Sequence, residues 1–149
     1  MLRLVPPPLW ALIFLGATYF LSTLPGLNAW PIWPTRPYGL ILIVAALVLL
    51  GWAMLQFRIA DTQLLPNSPE NNALVTTGVF AVTRNPMYLA MTLFALGGAL
   101  WMGRPLMLLA PALMFLVANN VFIPFEEAKM RRQFGDAFDA YTRRVRRWI

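Results

Sequence analysis

The chain contains no cysteine and no histidine. Without cysteine there are no disulfides, thiolate nucleophiles or cysteine–metal sites. Without histidine it lacks the usual general base and the commonest metal ligand. Charge is also scarce: 12% of the 149 residues are charged and 59% are hydrophobic, whereas a soluble domain carries about 25% charged residues. The composition is that of a membrane protein. Chemistry is left to Asp, Glu, Arg, Tyr, Asn, backbone groups or a bound cofactor, and no metal is expected. The net charge of +6 comes from basic residues beside apolar segments, so anionic lipid headgroups are expected partners and nucleic acid is not.

What is abundant is long runs without charge, at residues 4–35, 37–57, 85–103 and 105–125. A helix needs about 20 apolar residues to cross the bilayer core, and four spans follow. The first run is broken by Pro25-Gly26, Pro31 and Pro34, which predicts a helix over Leu9–Leu24 and then a turn whose Trp30, Trp33 and Tyr38 suit an interface. The same run admits a cleaved signal peptide with Leu27-Asn28-Ala29 as a weak cleavage site. Its charged leader is only Arg3 and three prolines precede the apolar core, so a membrane helix is preferred. The second helix is expected from Pro37 to about Phe57 and the third from Pro86 to about Met102, with Ala95, Gly98 and Ala99 allowing close packing. Gly103-Arg104-Pro105 is a tight turn. The fourth helix begins near Leu106 and continues past Ile123, with Pro111 able to kink it.

Ten basic residues (Arg3, Arg58, Arg84, Lys129 and six later arginines) fall on one side of such a bundle, and only Arg36 and Arg104 fall on the other. That asymmetry places both termini in the cytoplasm. The expected architecture is a single all-α integral membrane domain of about four transmembrane helices with a cytoplasmic C-terminal amphipathic helix. Residues 1–57 hold helices 1 and 2, 58–85 a cytoplasmic loop with Pro66–Asn72 as turn chemistry, 86–125 a helical hairpin and 126–149 a cytoplasmic tail. Phe134, Phe138, Tyr141, Val145 and Trp148 form one apolar stripe flanked by arginines, the pattern of a helix docked on an anionic leaflet.

Polar groups concentrate in two places. The stretch Thr76 to Tyr88 carries a glycine turn, Arg84, Asn85 and Pro86; Pro86 suits the first position of a helix, so Arg84 sits at the helix lip. There it reaches a ligand or lipid phosphate, or simply snorkels. Glu126-Glu127 lies where the fourth helix leaves the membrane. If that helix runs straight past Pro124, Asn119 shares a face with Glu126 and Asn120 with Glu127. The glutamates read either as ligand-binding groups or as ion-pair partners of Arg84, Lys129 or Arg131; the asparagines read as interhelical hydrogen bonds or ligand contacts.

The ordered set Leu74-Val75-Thr76-x-Gly78-x-Phe80, Arg84-Asn85-Pro86-x-Tyr88, Glu126-Glu127, Phe134-Gly135 and Tyr141-x-x-x-Val145 resembles the isoprenylcysteine carboxyl methyltransferases and the related phospholipid methyltransferases. The resemblance covers about residues 72 to 148. It implies an S-adenosyl-L-methionine-dependent methyltransferase with a lipophilic or membrane-delivered acceptor. The cofactor site it implies comprises Thr76, Gly78, Arg84, Asn85, Pro86, Met87, Tyr88 and Glu126. Asn119, Asn120 and Phe122 fall where the acceptor is expected, and Arg84 and Glu127 are the catalytic candidates, Glu127 being placed to take a proton from an amine acceptor. The family usually has histidine where Asn72 and Asn85 stand, and asparagine cannot titrate. Phe122 occupies the place of an arginine that holds the acceptor carboxylate in prenylcysteine enzymes, which predicts an uncharged or amine-bearing acceptor unless Arg84 or Lys129 folds over the site. Phospholipid or small-thiol methylation, and a non-enzymatic scaffold or lipid-binding role, are the alternatives.

Overall fold

The computed structural model describes residues 5–27, 32–61 and 73–149. Among the described residues five α-helices form: α1 (Pro7–Leu21), α2 (Arg36–Ile59), α3 (Pro86–Met102), α4 (Leu109–Val117) and α5 (Ile123–Arg144). Short 3₁₀ turns at Gly78–Ala81 and Pro105–Leu108 introduce α3 and α4. Arg3, Trp30, Pro31, the Pro66–Asn72 turn and the proposed cleavage position at Asn28-Ala29 lie outside the described residues.

Prolines set three of the helix starts. Pro7, Pro37 and Pro86 stand in the first turns of α1, α2 and α3, where the missing N–H forfeits no hydrogen bond and φ is already helical. At the far end of α3, Gly103 adopts the left-handed conformation (φ 67°). A Cβ there would stand 2.4 Å from the Trp33 carbonyl oxygen, so this turn requires glycine. The same end is tied by Trp33 N–H to the Gly103 carbonyl at 2.8 Å, Thr35 Oγ1 to the Leu100 carbonyl at 2.6 Å and Arg104 Nη1 to the Ser22 carbonyl at 2.9 Å.

α3 is the central helix, with α2 packed along one side and α1 and α4 along others. The α2–α3 contact is built from small residues. Gly39, Ala46 and Ala53, spaced by sevens, point inward, and a Cβ on Gly39 would lie 2.4 Å from the Trp101 backbone nitrogen. Gly97 on α3 is also tight: a Cβ there would lie 2.9 Å from the Gly39 carbonyl oxygen. Gly98 turns instead to Leu15 of α1. Leu40, Ile41, Val44, Leu47, Val48, Trp52 and Leu55 of α2 are exposed. Small residues inside with large apolar residues outside is the packing of helices in lipid, where close backbone approach replaces hydrophobic collapse. α2 and the continuous helical stretch Pro105–Arg144 are long and apolar enough to cross a membrane; α1 and α3 are shorter apolar helices.

Two features depart from the straight helices expected after residue 105. Residues Ala118–Phe122 form a π-helical turn. Pro124 has no N–H to offer the carbonyl four residues back, and a wider turn accommodates that loss. The extra residue rotates the helix, so the seven-residue spacing does not put the asparagines and glutamates on one face. Gly135 then breaks α5 with φ 49° and ψ −124°, turning its second half back onto the bundle. Phe138, Tyr141 and Val145 consequently bury against Leu74, Met130 and Phe134, and Trp148 packs on Phe115 with ring centroids 4.7 Å apart. The apolar stripe assigned to a lipid surface therefore faces protein, whereas Arg132, Arg143, Arg144 and Arg146 stay exposed.

Candidate functional site

The start of α3, the C-terminal part of α2 and the start of α5 converge on a cavity of about 390 Å³, within the size range of small-molecule sites. One part of its wall is apolar: Pro7, Leu50, Met54, Phe57, Met87 and Met91. The other part carries Arg84, Asn85, Tyr88, Glu126, Glu127 and Lys129.

The polar wall is cross-linked. Tyr88 O–H donates to Glu126 Oε1 at 2.5 Å, joining α3 to α5, and its ring is backed by the Phe122 ring at 5.9 Å between centroids. Glu126 lies one residue beyond the charge-free span of residues 105–125. Protein atoms crowd its carboxyl, and this burial pushes its pKa up; the Tyr88 hydrogen bond and the Lys129 charge oppose the shift. Glu127 is engaged by two guanidinium groups. Arg147 takes both of its oxygens, Nη2 to Oε2 at 2.6 Å and Nε to Oε1 at 3.1 Å, and Arg84 Nη1 approaches Oε1 at 3.3 Å. Among the described residues, Arg84 Nε is the buried side-chain polar atom with no hydrogen-bond partner.

Residues 145–148 lie across the loop that precedes α3. Arg84 N–H donates to the Arg146 carbonyl at 3.0 Å. Thr83 Oγ1 and Asn85 Nδ2 donate to the Arg147 carbonyl at 3.2 and 2.9 Å. Tyr141 O–H donates to the Phe80 carbonyl at 2.6 Å; burial pushes this phenol up, against the pull of Arg84.

Of the residues singled out in the sequence, Arg84, Asn85, Pro86, Met87, Tyr88, Glu126 and Glu127 share this cavity wall. Thr76, Gly78, Asn119, Asn120 and Phe122 do not line it. Gly78 (φ 57°) packs against Gln56, whose Nε2 would meet a Cβ at 2.0 Å, so its glycine serves the turn. Thr76 is half-buried in the same segment. Asn119 Oδ1 accepts from Trp148 Nε1 at 3.1 Å and Arg147 Nη1 at 3.3 Å, and Asn120 Nδ2 bonds back to the Leu116 carbonyl at 2.8 Å. Phe122 supports Tyr88 from behind. The α2 residues Leu50, Met54 and Phe57 are wall residues that sequence reasoning did not assign to the site; Lys129, considered there only as a cation able to fold over it, also lines it, and Arg147 was grouped with the other basic residues of the tail. An apolar span gives no sign of which residues face a cavity, and one arginine among six gives no sign of a fixed partner.

The chain belongs to the phospholipid methyltransferase family, whose sequence model matches residues 35–137. A Haemophilus influenzae protein is 38% identical over 63 residues, 42% of this chain and all of that one. Protein-S-isoprenylcysteine O-methyltransferase B of Arabidopsis thaliana is 27% identical over 114 residues, 76% of this chain and 58% of the plant protein. The solved structure of the eukaryotic intramembrane Ras methyltransferase ICMT, an isoprenylcysteine carboxyl methyltransferase, matches with a TM-score of 0.66 and 25% identity, over 91% of this chain and 49% of that one. The chain thus spans about half to three-fifths of the isoprenylcysteine methyltransferases it matches.

Proposed function

We propose that this chain is an integral membrane methyltransferase that uses S-adenosyl-L-methionine and acts on a lipophilic acceptor, a reading supported by its isoprenylcysteine O-methyltransferase relatives. The observation that carries the reading is the two-part cavity, with a charged wall at one side and an apolar wall at the other. The charged wall fits the methyl donor. Arg84 presents an unpaired buried Nε, suited to a carboxylate, and Glu126 offers a carboxylate to an ammonium or to ribose hydroxyls. Asn85 and the backbone around Pro86 and Met87 supply further polar contacts, and Tyr88 holds Glu126 in place. The cofactor, when bound, supplies the reactive methyl group on a sulfonium. The residues of this chain align donor and acceptor and exclude water, which requires neither a metal nor a titratable histidine.

The apolar wall fits an acceptor chain reached from the bilayer between α1 and α2. Lys129 lines the cavity as well, so a carboxylate acceptor meets a cation there despite Phe122 in place of arginine. A second reading, an amine-bearing lipid, is favoured by Glu126 and Glu127 on the same wall. In it Glu126 is the better proton acceptor, because the oxygens of Glu127 are taken by Arg84 and Arg147. We further assign four spans with both termini cytoplasmic, and anionic headgroups as the partners of Arg132, Arg143, Arg144 and Arg146. A methyl-transfer assay with labelled cofactor, comparing a prenylcysteine carboxylate, an amine phospholipid and a thiol, tests this. Turnover of the prenylcysteine is expected; turnover of the amine lipid alone selects the second reading, and absence of turnover with every acceptor and with a lipid extract supports a scaffold.

A further inference from the structure

We infer that Arg147, which lies outside the cavity, is a positioning residue: by occupying Glu127 it keeps Arg84 available to the bound ligand. The inference rests on the methyl-donor reading of the cavity for its binding test, but not for its structural one. Glu127 stands between two guanidinium groups. Arg147 meets it as a fork on both oxygens, at 2.6 and 3.1 Å, the planar two-bond geometry that makes arginine–carboxylate pairs strong. Arg84 is left with one longer contact at 3.3 Å and a buried Nε with no partner. A single carboxylate cannot satisfy two forks at once. With Arg147 forked across both oxygens, Arg84 is limited to a single contact with Oε1, and its guanidinium retains donor capacity on the cavity wall.

The surroundings fix this division of partners. The Arg147 carbonyl is held by Thr83 and Asn85, the residues on either side of Arg84. The Arg146 carbonyl is held by the N–H of Arg84 itself. Arg147 Nη1 is further steadied by Asn119 in the π-helical turn. The wide turn thus places an amide where it orients the arginine, giving Asn119 a part in the site although it does not line the cavity. Removing the Arg147 side chain leaves Glu127 half-buried with one cation nearby. Arg84 is then drawn into the vacated fork, and its Nε is withdrawn from the ligand.

The test uses the full chain in detergent, with Arg147→Gln, Arg147→Lys and the double variant Glu127→Gln/Arg147→Gln. Two measurements are made: the rate at which phenylglyoxal modifies Arg84, followed by peptide mass spectrometry without ligand, and the affinity for S-adenosylhomocysteine by calorimetry. Arg147→Gln is expected to slow Arg84 modification severalfold and weaken binding at least tenfold. Arg147→Lys, a cation without the fork, is expected to fall between. The double variant is expected to recover Arg84 modification and to bind at least fivefold tighter than Arg147→Gln, because the competing carboxylate is gone. If Arg147 only braces the fold, the double variant stays as weak as Arg147→Gln or weaker, and the inference is overturned. Should Arg147→Gln lose its cooperative melt, the same comparison is made with Arg147→Lys and its Glu127→Gln double. Failure of the wild type to bind S-adenosylhomocysteine counts against the cofactor reading, while unchanged Arg84 modification in Arg147→Gln counts against this inference alone.

Discussion

Replacing Glu126 by glutamine is predicted to move affinity and stability in opposite directions. The side chain keeps its shape and its carbonyl oxygen still accepts the hydrogen bond from Tyr88 O–H, which measures 2.5 Å in the native chain; the charge is lost and one acceptor oxygen becomes an amide donor. A charge-assisted hydrogen bond contributes about 1.5–3 kcal/mol, so affinity for S-adenosylhomocysteine should fall roughly 10- to 150-fold. Stability should rise, because burial disfavours the ionised carboxyl and pushes its pKa above the unfolded value. For a carboxyl raised in this way, the stabilising contribution is fully present below the unfolded pKa and is lost as pH rises through the folded pKa. At pH 8 the wild type therefore carries an ionised, crowded carboxylate that the glutamine variant lacks. Thermal melts in detergent should show the variant higher at pH 8, with the gap closing toward pH 4. Calorimetry should show wild-type affinity declining as pH falls through a range above that of ordinary carboxylates, and the variant's affinity flat across it. Asp139→Asn is the control, since Asp139 meets Arg131 at 2.9 Å on the surface and such pairs contribute only about 0–1 kcal/mol. Equal, small effects of the two substitutions on binding, or a lower melting temperature for Glu126→Gln at pH 8, would refute the reasoning.

Other outcomes follow from packing and topology. Gly39→Val should destabilise by about 1–3 kcal/mol or more, because even a Cβ comes within 2.4 Å of the Trp101 backbone; Gly51→Ala, which meets nothing within 4 Å, should not, and melting temperatures decide. Tyr141→Phe leaves the Phe80 carbonyl without its 2.6 Å donor and should cost about 1–3 kcal/mol of stability, read from the same melts. The absence of native cysteine makes single-cysteine labelling direct: Ala81→Cys and Ala137→Cys should label from the cytoplasmic side, Ile32→Cys and Met102→Cys from the other. Labelling of Ala81→Cys and Ala137→Cys from opposite sides would overturn the four-span topology.

The sequence was most informative where the local signal was also the structural cause. Pro86 after a non-helical Asn85 marks the start of α3, and Gly103 its end, because each residue's own backbone preference sets the boundary. Arg84 and the Glu126-Glu127 pair stood out as polar groups flanking apolar spans, and the family resemblance is what made Tyr88 and Glu126 cofactor-site candidates. What stayed hidden depends on register and distance. The shared face of Asn119 and Glu126 assumed 3.6 residues per turn, and the π turn before Pro124 removes that assumption. The stripe from Phe134 to Trp148 was visible as a stripe, but its direction was set by the break at Gly135, which turns Phe138 and Tyr141 inward. Arg147 looked like any basic residue of the tail, since its partners Glu127 and Asn119 lie 20 and 28 positions away. The small-residue seam of Gly39, Ala46 and Ala53 follows a period of seven, yet only the partner helix shows which face it closes.

The central claim is that the cavity between α2, α3 and α5 holds the methyl donor, and equilibrium binding of S-adenosylhomocysteine to the detergent-solubilised wild type tests it most directly. Saturable binding at one site per chain, weakened by Glu126→Gln and by Arg84→Gln but not by Asp139→Asn, is the predicted result. A folded wild type with no detectable binding, or binding indifferent to both Glu126 and Arg84, would contradict it.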